Sequence, residues 1–508
     1  MRFKVYGALA ASALVVSVVS SAAVATSTAA PLSGVRPAAA PAAPDDHVPD
    51  PVRPGTSENF EVVGHNPLAA RGMNAAPALY GDYLYVGNRT DGSEGHRRPG
   101  VLVVNISDPA DPRIVGEIGP PNAGNIGETT RELRVWPEKK LLMVLGFTCS
   151  SLIHECAGVQ VTSTIKFYDL SDPANPSLVS VYVPSRQPHE FYLWIDPKKD
   201  GRALLYMSTP TSDLDFPNLI VTDISGASEG RFEELVTFNP NRQFPQRVRD
   251  SRDVALHSMD VNYSGTKVHL AYLGGGYLIA NSKDLARAKE NPRIRLITPV
   301  SHRVRYTNPG VHSAVKVPNR PYAILTEEVY GDYLDELIGK DEHGCPWGWV
   351  KIADIRDKRQ PEVVGEYRLA ENQQAYCESA AGKDPNNIER TSYAAHNPTL
   401  LRKLGLVTWH SGGLQAISLR DPVRPKQTGY FLPEPLYYVA TEDPALSEGT
   451  NKVVMWSFPI IKDGLIYVTD VRNGLYVLRY TGPRHRAIDR ISFLEGNSNL
   501  GDAARLAN

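Results

Sequence analysis

Three observations predict that this 508-residue sequence forms an all-β fold built from repeats. The chain is 42% hydrophobic and contains 40 Gly and 40 Pro, so short apolar segments alternate with turns. One phrase recurs about every 60 residues, consisting of an apolar strand, a turn rich in Asp, Asn or Ser that usually ends in Pro, and a second strand. A further pair of short apolar segments precedes each copy.

The phrase occurs in five clear copies and two degenerate ones. The clear copies cover residues 101–119, 165–183, 219–236, 350–368 and 414–432, and the degenerate ones cover 277–298 and 475–482. Strand pairs with a tight turn precede them, as at residues 76–87, 259–274 and 458–470. Each unit of four antiparallel strands can bury both faces only by stacking against other units around an axis. The sequence therefore predicts a seven-bladed β-propeller of four-stranded antiparallel blades.

The ends of the repeat region predict how the ring closes. The last copy stops near Gly482 without a fourth strand, whereas residues 60–64 (FEVVG) are similar to the fourth strand at residues 361–365 (PEVVG). We expect this N-terminal strand to complete the last blade, which leaves few open sheet edges.

Composition divides the chain into four regions. These are a signal peptide (1–25), a disordered linker rich in Pro and Ala (26–57), the propeller (58–482) and a C-terminal tail (483–508). Arg2 and Lys4 precede an apolar run over residues 5–24 that ends in an Ala-Val-Ala cleavage site. The run is nearly long enough to span a bilayer, so an uncleaved anchor is the alternative. We expect a secreted or cell-surface protein without a transmembrane segment once the signal is cleaved.

Four cysteines in an exported chain predict two disulfides. Their spacing pairs Cys149 with Cys156 and Cys345 with Cys377, although other pairings remain open.

Charge and motifs exclude several classes of function. The formal net charge is −2, and Lys and Arg form no basic stripe, which argues against a nucleic-acid partner. The sequence lacks G-x-S-x-G, P-loop, C-x-x-C and H-E-x-x-H motifs, so the standard hydrolase, nucleotide and zincin interpretations have no support. We expect a monomer.

The repeats are similar to those of a known family. The segments at residues 103–109 (VVNISDP) and 352–355 (IADI) resemble the LVIVD repeat family of bacterial and archaeal propellers, over roughly residues 60–482. The resemblance implies a propeller fold and an extracytoplasmic location. It implies no particular activity.

Alignment of the first strands of the repeats places four histidines in one column: His189, His257, His312 and His396. Arg131 and Trp456 occupy the same column, and Glu132 and Glu190 occupy the next. The second strands end on the same face with Glu327, His410 and Asp470. First strands lie innermost in a propeller, so we expect these side chains at the mouth of the central channel. Converging imidazoles can hold one ion of Cu, Zn or Fe; the alternative is that each histidine binds the backbone of a neighbouring blade.

Three functions fit this arrangement. The first is an exported binding protein that recognises a protein or small-molecule ligand on this face, where the connections at 88–100, 147–164, 327–348 and 371–391 are longest. The second is a metal-dependent oxidase or hydrolase that uses the histidine ring, with Glu190 or Glu327 as acid and base. The third is a structural component of the cell surface.

Overall fold

The computed structural model describes residues 51, 53–93, 95–119, 126–149, 156–251, 254–305, 310–329, 348–388 and 390–504. All of them belong to one compact unit, Val48–Asn508. The predicted signal peptide, the linker up to residue 50 and Cys345 of the second predicted disulfide lie outside the described residues. No helix in the described ranges is long and apolar enough to cross a membrane.

The prediction of seven four-stranded blades is wrong. Hydrogen bonding divides the described strands into six sheets. Five of these sheets are blades of the propeller, three with four strands and two with five. The sixth is a continuous sheet of eight strands that contains two repeat units.

The bounds of the strands follow the chain through these sheets. Two N-terminal strands come first: β1 (Ser57–Glu58) and β2 (Phe60–Asn66). The eight-stranded sheet contains β3 (Asn74–Tyr80), β4 (Tyr83–Asn88), β5 (Val101–Asn105), β6 (Arg113–Ile118), β7 (Glu128–Trp136), β8 (Leu141–Thr148), β9 (Thr164–Asp169) and β10 (Ser177–Tyr182). The four-stranded sheets contain β11 (Glu190–Ile195), β12 (Ala203–Ser208), β13 (Leu219–Gly226) and β14 (Arg231–Phe238); β15 (Ala255–Val261), β16 (Lys267–Leu273), β17 (Gly276–Asn281) and β18 (Arg295–Leu296); and β19 (Ser313–Lys316), β20 (Tyr322–Thr326), β21 (Val350–Asp354) and β22 (Glu362–Tyr367). The five-stranded sheets contain β23 (Ala395–Leu401), β24 (Leu404–Trp409), β25 (Gly413–Ser418) and β26 (Lys426–Phe431) with β1; and β27 (Ile460–Lys462), β28 (Leu465–Asp470), β29 (Gly474–Tyr480) and β30 (Phe493–Leu494) with β2.

Within the described ranges, helices are few and short, and they lie in the connections. They are α1 (Gln246–Ser251), α2 (Lys283–Ala286), α3 (Gln374–Glu378), α4 (Pro385–Ile388) and α5 (His485–Asp489).

A close approach of two strands explains the eight-stranded sheet. Strands β4 and β7 pair at Asn88 and Thr130, and the Asn88 N–H donates to Thr130 Oγ1 over 3.0 Å. Gly87 makes this approach possible, because a Cβ there would lie 1.9 Å from the Thr130 carbonyl oxygen. Two repeat units that were predicted as separate blades are therefore joined by hydrogen bonding.

Apolar clusters between successive sheets hold the ring together. One cluster packs Leu205 and Ile220 of β12 and β13 against Leu145 of β8. Another packs Val86 of β4 against Val477 of β29, which joins the last sheet to the first. The inner strands β7 and β11 are buried throughout, because both of their faces contact neighbouring sheets.

The N-terminal strand pairs with the last repeat. Strand β2 is antiparallel to β29, with Phe60 opposite Tyr480 and Asn66 opposite Leu475. The side chains of Phe60 and Tyr480 pack with their rings tilted by 55° and their centroids 5.1 Å apart. This pairing brings the two ends of the repeat region into one sheet and protects its outer edge.

Residues 483–504 pack onto the inner strands. The Leu193 N–H donates to the Asn497 carbonyl (3.0 Å), and the Asn499 N–H donates to the Leu193 carbonyl (3.2 Å). The Asn499 side chain also binds both backbone groups of Ile195. Ile195 is about 17 Å along β11 from Glu190, so this segment lies at the end of the channel away from the histidines.

The structure confirms the first predicted disulfide. Cys149 and Cys156 are bonded, with their Cα atoms 6.2 Å apart.

Candidate metal centre

Irregularities in the inner strands position several of the candidate side chains. The regular pairing of β15 with β16 breaks between Leu256 and Ser258, so His257 occupies the break. Arg131 and His396 lie in equivalent breaks of β7 and β23. A bulge re-aims the side chain that it contains. Bulges at equivalent positions of the repeat therefore direct these three side chains into the channel.

The centre is built around Glu328. The Nε2 atoms of four histidines lie within 3.8 Å of its carboxylate oxygens. These distances are 3.8 Å for His257, 3.6 Å for His312, 3.1 Å for His396 and 3.7 Å for His410. His189 extends the group, because its Nε2 lies 2.9 Å from Nε2 of His257. Five imidazoles and one carboxylate thus converge at one mouth of the channel.

Hydrogen bonds on the far side of three imidazoles determine their tautomers. His396 Nδ1 donates to the Trp456 carbonyl over 2.6 Å, since a carbonyl can only accept. His312 Nδ1 lies 2.8 Å from Ser313 Oγ, which donates its own proton to Asn397. Both Nδ1 atoms therefore carry a proton. His312 Nε2 presents a lone pair, whereas His396 Nε2 forms a hydrogen bond with Glu328 Oε1 (3.1 Å). Protein ligands of transition metals are held by outer hydrogen bonds of this kind.

His410 has the same arrangement. Its Nδ1 lies 3.1 Å from Ser392 Oγ, and Ser392 donates to the Val329 carbonyl. The hydroxyl proton is used in that bond, so His410 Nδ1 donates and Nε2 presents the lone pair.

Burial favours the form of histidine that binds metals. Desolvation lowers the pKa of His257 and His410 to about 3, and it lowers the pKa of His189 and His312 well below the ordinary value. These imidazoles are neutral at physiological pH, as metal ligation requires.

The two carboxyl groups near the histidines differ in charge. Burial opposes ionisation of Glu328, but its interactions with His312 and His396, which include a hydrogen bond to His396 Nε2, keep its pKa well below the usual range. Burial, followed by the charge of Glu132, raises the pKa of Glu190 well above the usual range. Glu328 is therefore the ionised ligand, whereas Glu190, 3.8 Å from His257 Nδ1, is held as a neutral acid.

At the channel mouth, three sets of described residues have ligand atoms close enough to share one ion. In each set the atoms lie within 4.8 Å of one another. The sets are His189, Glu190 and His257; His257, His312 and Glu328; and Glu328, His396 and His410. Imidazole with carboxylate suits Zn, Cu and Fe, so these described residues could hold such an ion.

Arg131, Glu132 and Trp456 lie beside the centre. Arg131 Nη2 is 3.5 Å from His189 Nε2, and its guanidinium lies over the Trp456 ring, 5.1 Å from the centroid. Trp456 also contacts His396 edge to face, at 5.5 Å. Glu132 pairs with Arg134 (3.7 Å), one layer deeper in the channel.

Two predicted residues point elsewhere. Glu327 forms a buried ion pair with Lys351 (2.5 Å), outside the imidazole cluster. Asp470 accepts the backbone N–H groups of Val454, Arg472 and Asn473, and burial raises its pKa to about 7. Its contacts hold the loops around β28 in place.

Glu328, which lies within the imidazole cluster, is not among the site residues that the sequence predicts. Strand β20 ends at Thr326, so strand alternation no longer decides which of the two following glutamates faces the channel. The Glu-Glu pair directly after the strand is the available signal, and the sequence prediction names only Glu327. The adjacent residue enters the centre instead.

No family model matches the chain, and no curated protein matches it. Among solved structures, Sqt1 from Chaetomium thermophilum is 10% identical with a TM-score of 0.44, covering 81% of this chain and 86% of that one. Sqt1 from Saccharomyces cerevisiae is 7% identical with a TM-score of 0.44, covering 85% and 100%. The Chaetomium thermophilum protein bound to the N-terminus of ribosomal protein L10 is 10% identical with a TM-score of 0.43, covering 82% and 89%. At these values the likeness carries no information about what this chain binds.

Proposed function

We propose that this protein is an exported, metal-binding β-propeller of the LVIVD repeat type, with a Zn, Fe or Cu ion at the channel mouth and a ligand or partner recognised on the same face. The export signal and the Cys149–Cys156 disulfide support an oxidising location. The repeat phrases support the family. None of these features requires an enzymatic activity.

The observation that carries the proposal is the convergence of imidazole lone pairs on Glu328. Nε2 of His312 is buried and makes no hydrogen bond to a described protein atom within ordinary limits. Buried polar atoms are normally satisfied, and leaving one without a partner costs about 1–3 kcal/mol. An ion coordinated by this nitrogen would satisfy it. A purely structural role for the histidines accounts for the backbone bond of His396 but leaves this nitrogen unexplained.

Elemental analysis of protein purified without chelator tests the proposal. We expect at least one Zn, Fe or Cu ion per chain in the wild type and a large loss of that metal in the His312→Ala variant. His302→Ala is the matched control, because His302 is exposed and lies in a surface turn. A wild-type protein that is metal-free and takes up none of the three ions on titration would overturn the proposal.

Access to the centre supports recognition of a ligand there. His189 is partly exposed, and the Glu328 side chain is 10% exposed, so solvent reaches both sides of the group. A metal with an open coordination position at this mouth would contact a ligand directly.

Arg131 favours a second candidate function, a metal-dependent enzyme acting on a small anion. Arg131 is 6% exposed and forms no salt bridge within the described ranges of the chain. The carboxyl groups that interact with it electrostatically, Glu132 and Glu190, are themselves buried, and burial raises the pKa of both. A bound anion would therefore offset part of the cost of burying the guanidinium. In this candidate, Arg131 orients the anion beside the metal and Glu190 is the acid and base.

Spectroscopy of the Co²⁺-loaded protein separates the two candidates. Titration with acetate or azide should shift the d–d bands of the wild type, and Arg131→Gln should weaken this binding at least tenfold. Arg424→Gln is the matched control, because that guanidinium is 75% exposed. Unchanged anion affinity in Arg131→Gln would eliminate the anion-directed enzyme and leave the metal-binding propeller in place.

A further inference from the structure

The geometry points to two metal ions in this centre, bridged by the carboxylate of Glu328. This inference rests on the proposed metal-binding function and extends it from one ion to a pair. The first ion would be held by His257 and His312, and the second by His396 and His410. Both are divalent ions of the imidazole-preferring class, Zn, Fe or Cu.

Each oxygen of Glu328 faces a different pair of histidines. Oε2 lies 3.8 Å from His257 Nε2 and 3.6 Å from His312 Nε2. Oε1 lies 3.1 Å from His396 Nε2 and 3.7 Å from His410 Nε2. If Glu328 bound a single ion, its four histidine neighbours would gather around one point, either at one oxygen or midway between the two. Instead, two histidines lie nearest to Oε2 and the other two lie nearest to Oε1.

The ligand sets divide in the same way. The set of His257 and His312 and the set of His396 and His410 have only Glu328 in common. Each set contains two imidazoles and one carboxylate oxygen, the minimal protein ligand group of many catalytic metal sites. Ligands about 2.1 Å from one ion lie about 3–3.5 Å from each other. The distances from the Glu328 oxygens to the four Nε2 atoms are close to this range, at 3.1–3.8 Å.

A carboxylate that lies between the two sets suits a pair of ions. Paired ions in enzymes lie about 3.5–4 Å apart, and carboxylates bridge them in di-iron proteins. The hydrogen bonds behind His312, His396 and His410 preorganise both sets.

Metal stoichiometry tests the inference. The full mature chain is stripped with EDTA, dialysed and titrated with Zn²⁺ by calorimetry. We expect two equivalents per chain in the wild type, one in His410→Ala and one in His312→Ala, because each variant dismantles only one set. The control His302→Ala should bind two. Circular dichroism and a melting curve establish that every variant is folded.

Electron paramagnetic resonance provides the second readout. With two equivalents of Cu²⁺, coupling through the Glu328 bridge should suppress the signal of the wild type. His410→Ala with one equivalent should give the full signal of an isolated ion. One equivalent of Zn²⁺ in the wild type would overturn the pair while the proposed function survives, and zero would overturn both. Two Cu²⁺ ions without magnetic coupling would overturn the bridging role of Glu328. Two equivalents of metal in folded His410→Ala would overturn the assignment of His396 and His410 to the second ion.

Discussion

At the scale of single residues, the centre depends on groups that touch the imidazoles from behind. The Ser313 hydroxyl forms hydrogen bonds with both His312 and Asn397, and the Trp456 carbonyl accepts a hydrogen bond from His396 Nδ1. Such partners fix the ring orientation and raise the basicity of the ligand nitrogen. Ser313 and Asn397 lie in the column next to the histidines, and Trp456 lies in the histidine column itself. The same alignment of the repeats therefore supplies both the ligands and the groups that support them.

The Ser313→Ala variant tests this support. Removing the hydroxyl leaves His312 Nδ1 without its acceptor, so we expect Zn²⁺ affinity to fall about tenfold or more while the fold is kept. Competition with a chromophoric chelator measures the change. Ser301→Ala, at an exposed position, should behave as the wild type. Equal affinities in the two variants would show that Ser313 does not position the ligand.

His269 gives the protein a separate dependence on pH. It is fully buried in β16, its Nδ1 lies 2.5 Å from the Tyr277 hydroxyl, and desolvation lowers its pKa from 6.5 to about 3. The unfolded chain therefore binds a proton that the folded chain excludes. The contribution of His269 to the free energy of unfolding is complete above pH 6.5 and is lost as the pH falls toward 3. At pH 5 the loss is about 2 kcal/mol.

Urea unfolding at pH 8 and pH 5 measures this effect. The loss of unfolding free energy between the two pH values should be about 2 kcal/mol smaller in His269→Asn than in the wild type. The exposed control His302→Ala should retain the full loss. An identical loss in His269→Asn would mean that His269 is protonated in the folded state.

At the scale of elements, the contact between β4 and β7 determines how the first two repeat units join. In Gly87→Ala the new Cβ would meet the Thr130 carbonyl at 1.9 Å and separate the strands. We expect a destabilisation of about 1–3 kcal/mol. Gly116→Ala in β6 is the matched control, because its nearest neighbour would lie 3.6 Å away, an ordinary contact.

Chemical denaturation of both glycine variants checks this prediction. Equal stability of Gly87→Ala and Gly116→Ala would contradict the close approach of β4 to β7.

The elements also show what the sequence could predict. The histidine column was predictable because equivalent positions of a repeat occupy equivalent places in a ring. The join at Asn88 and Thr130 was not, since it depends on how closely two successive units approach. Glu328 was missed for a related reason: it follows the end of β20, where the local pattern of the strand no longer specifies side-chain direction.

At the scale of the whole molecule, the ring is held closed by pairing of β2 with β29. Phe60 is 6% exposed and packs against Tyr480, whereas Val62 in the same strand is 53% exposed. The closure therefore relies on one face of β2. The sequence predicted this strand because a fourth-strand motif stood at the start of the chain and was missing at the end.

Phe60→Ala should weaken the closure. We expect a loss of about 3 kcal/mol from the buried ring and faster amide exchange in β29. The control Val62→Ala should change stability by less than about 0.5 kcal/mol. Calorimetry and hydrogen exchange measure both quantities, and unchanged exchange in β29 of Phe60→Ala would contradict the role of β2.

The channel mouth is formed by side chains from several sheets of the ring. Its histidines lie in successive sheets and are far apart in the sequence. We propose that these side chains and Glu328 hold transition-metal ions. Anomalous diffraction at the metal absorption edge, from crystals of protein purified without chelator, is the decisive test. We expect anomalous peaks beside the Glu328 oxygens and within coordinating distance of His257, His312, His396 and His410. Crystals soaked with Zn²⁺, Fe²⁺ and Cu²⁺ that show no peak there would contradict it.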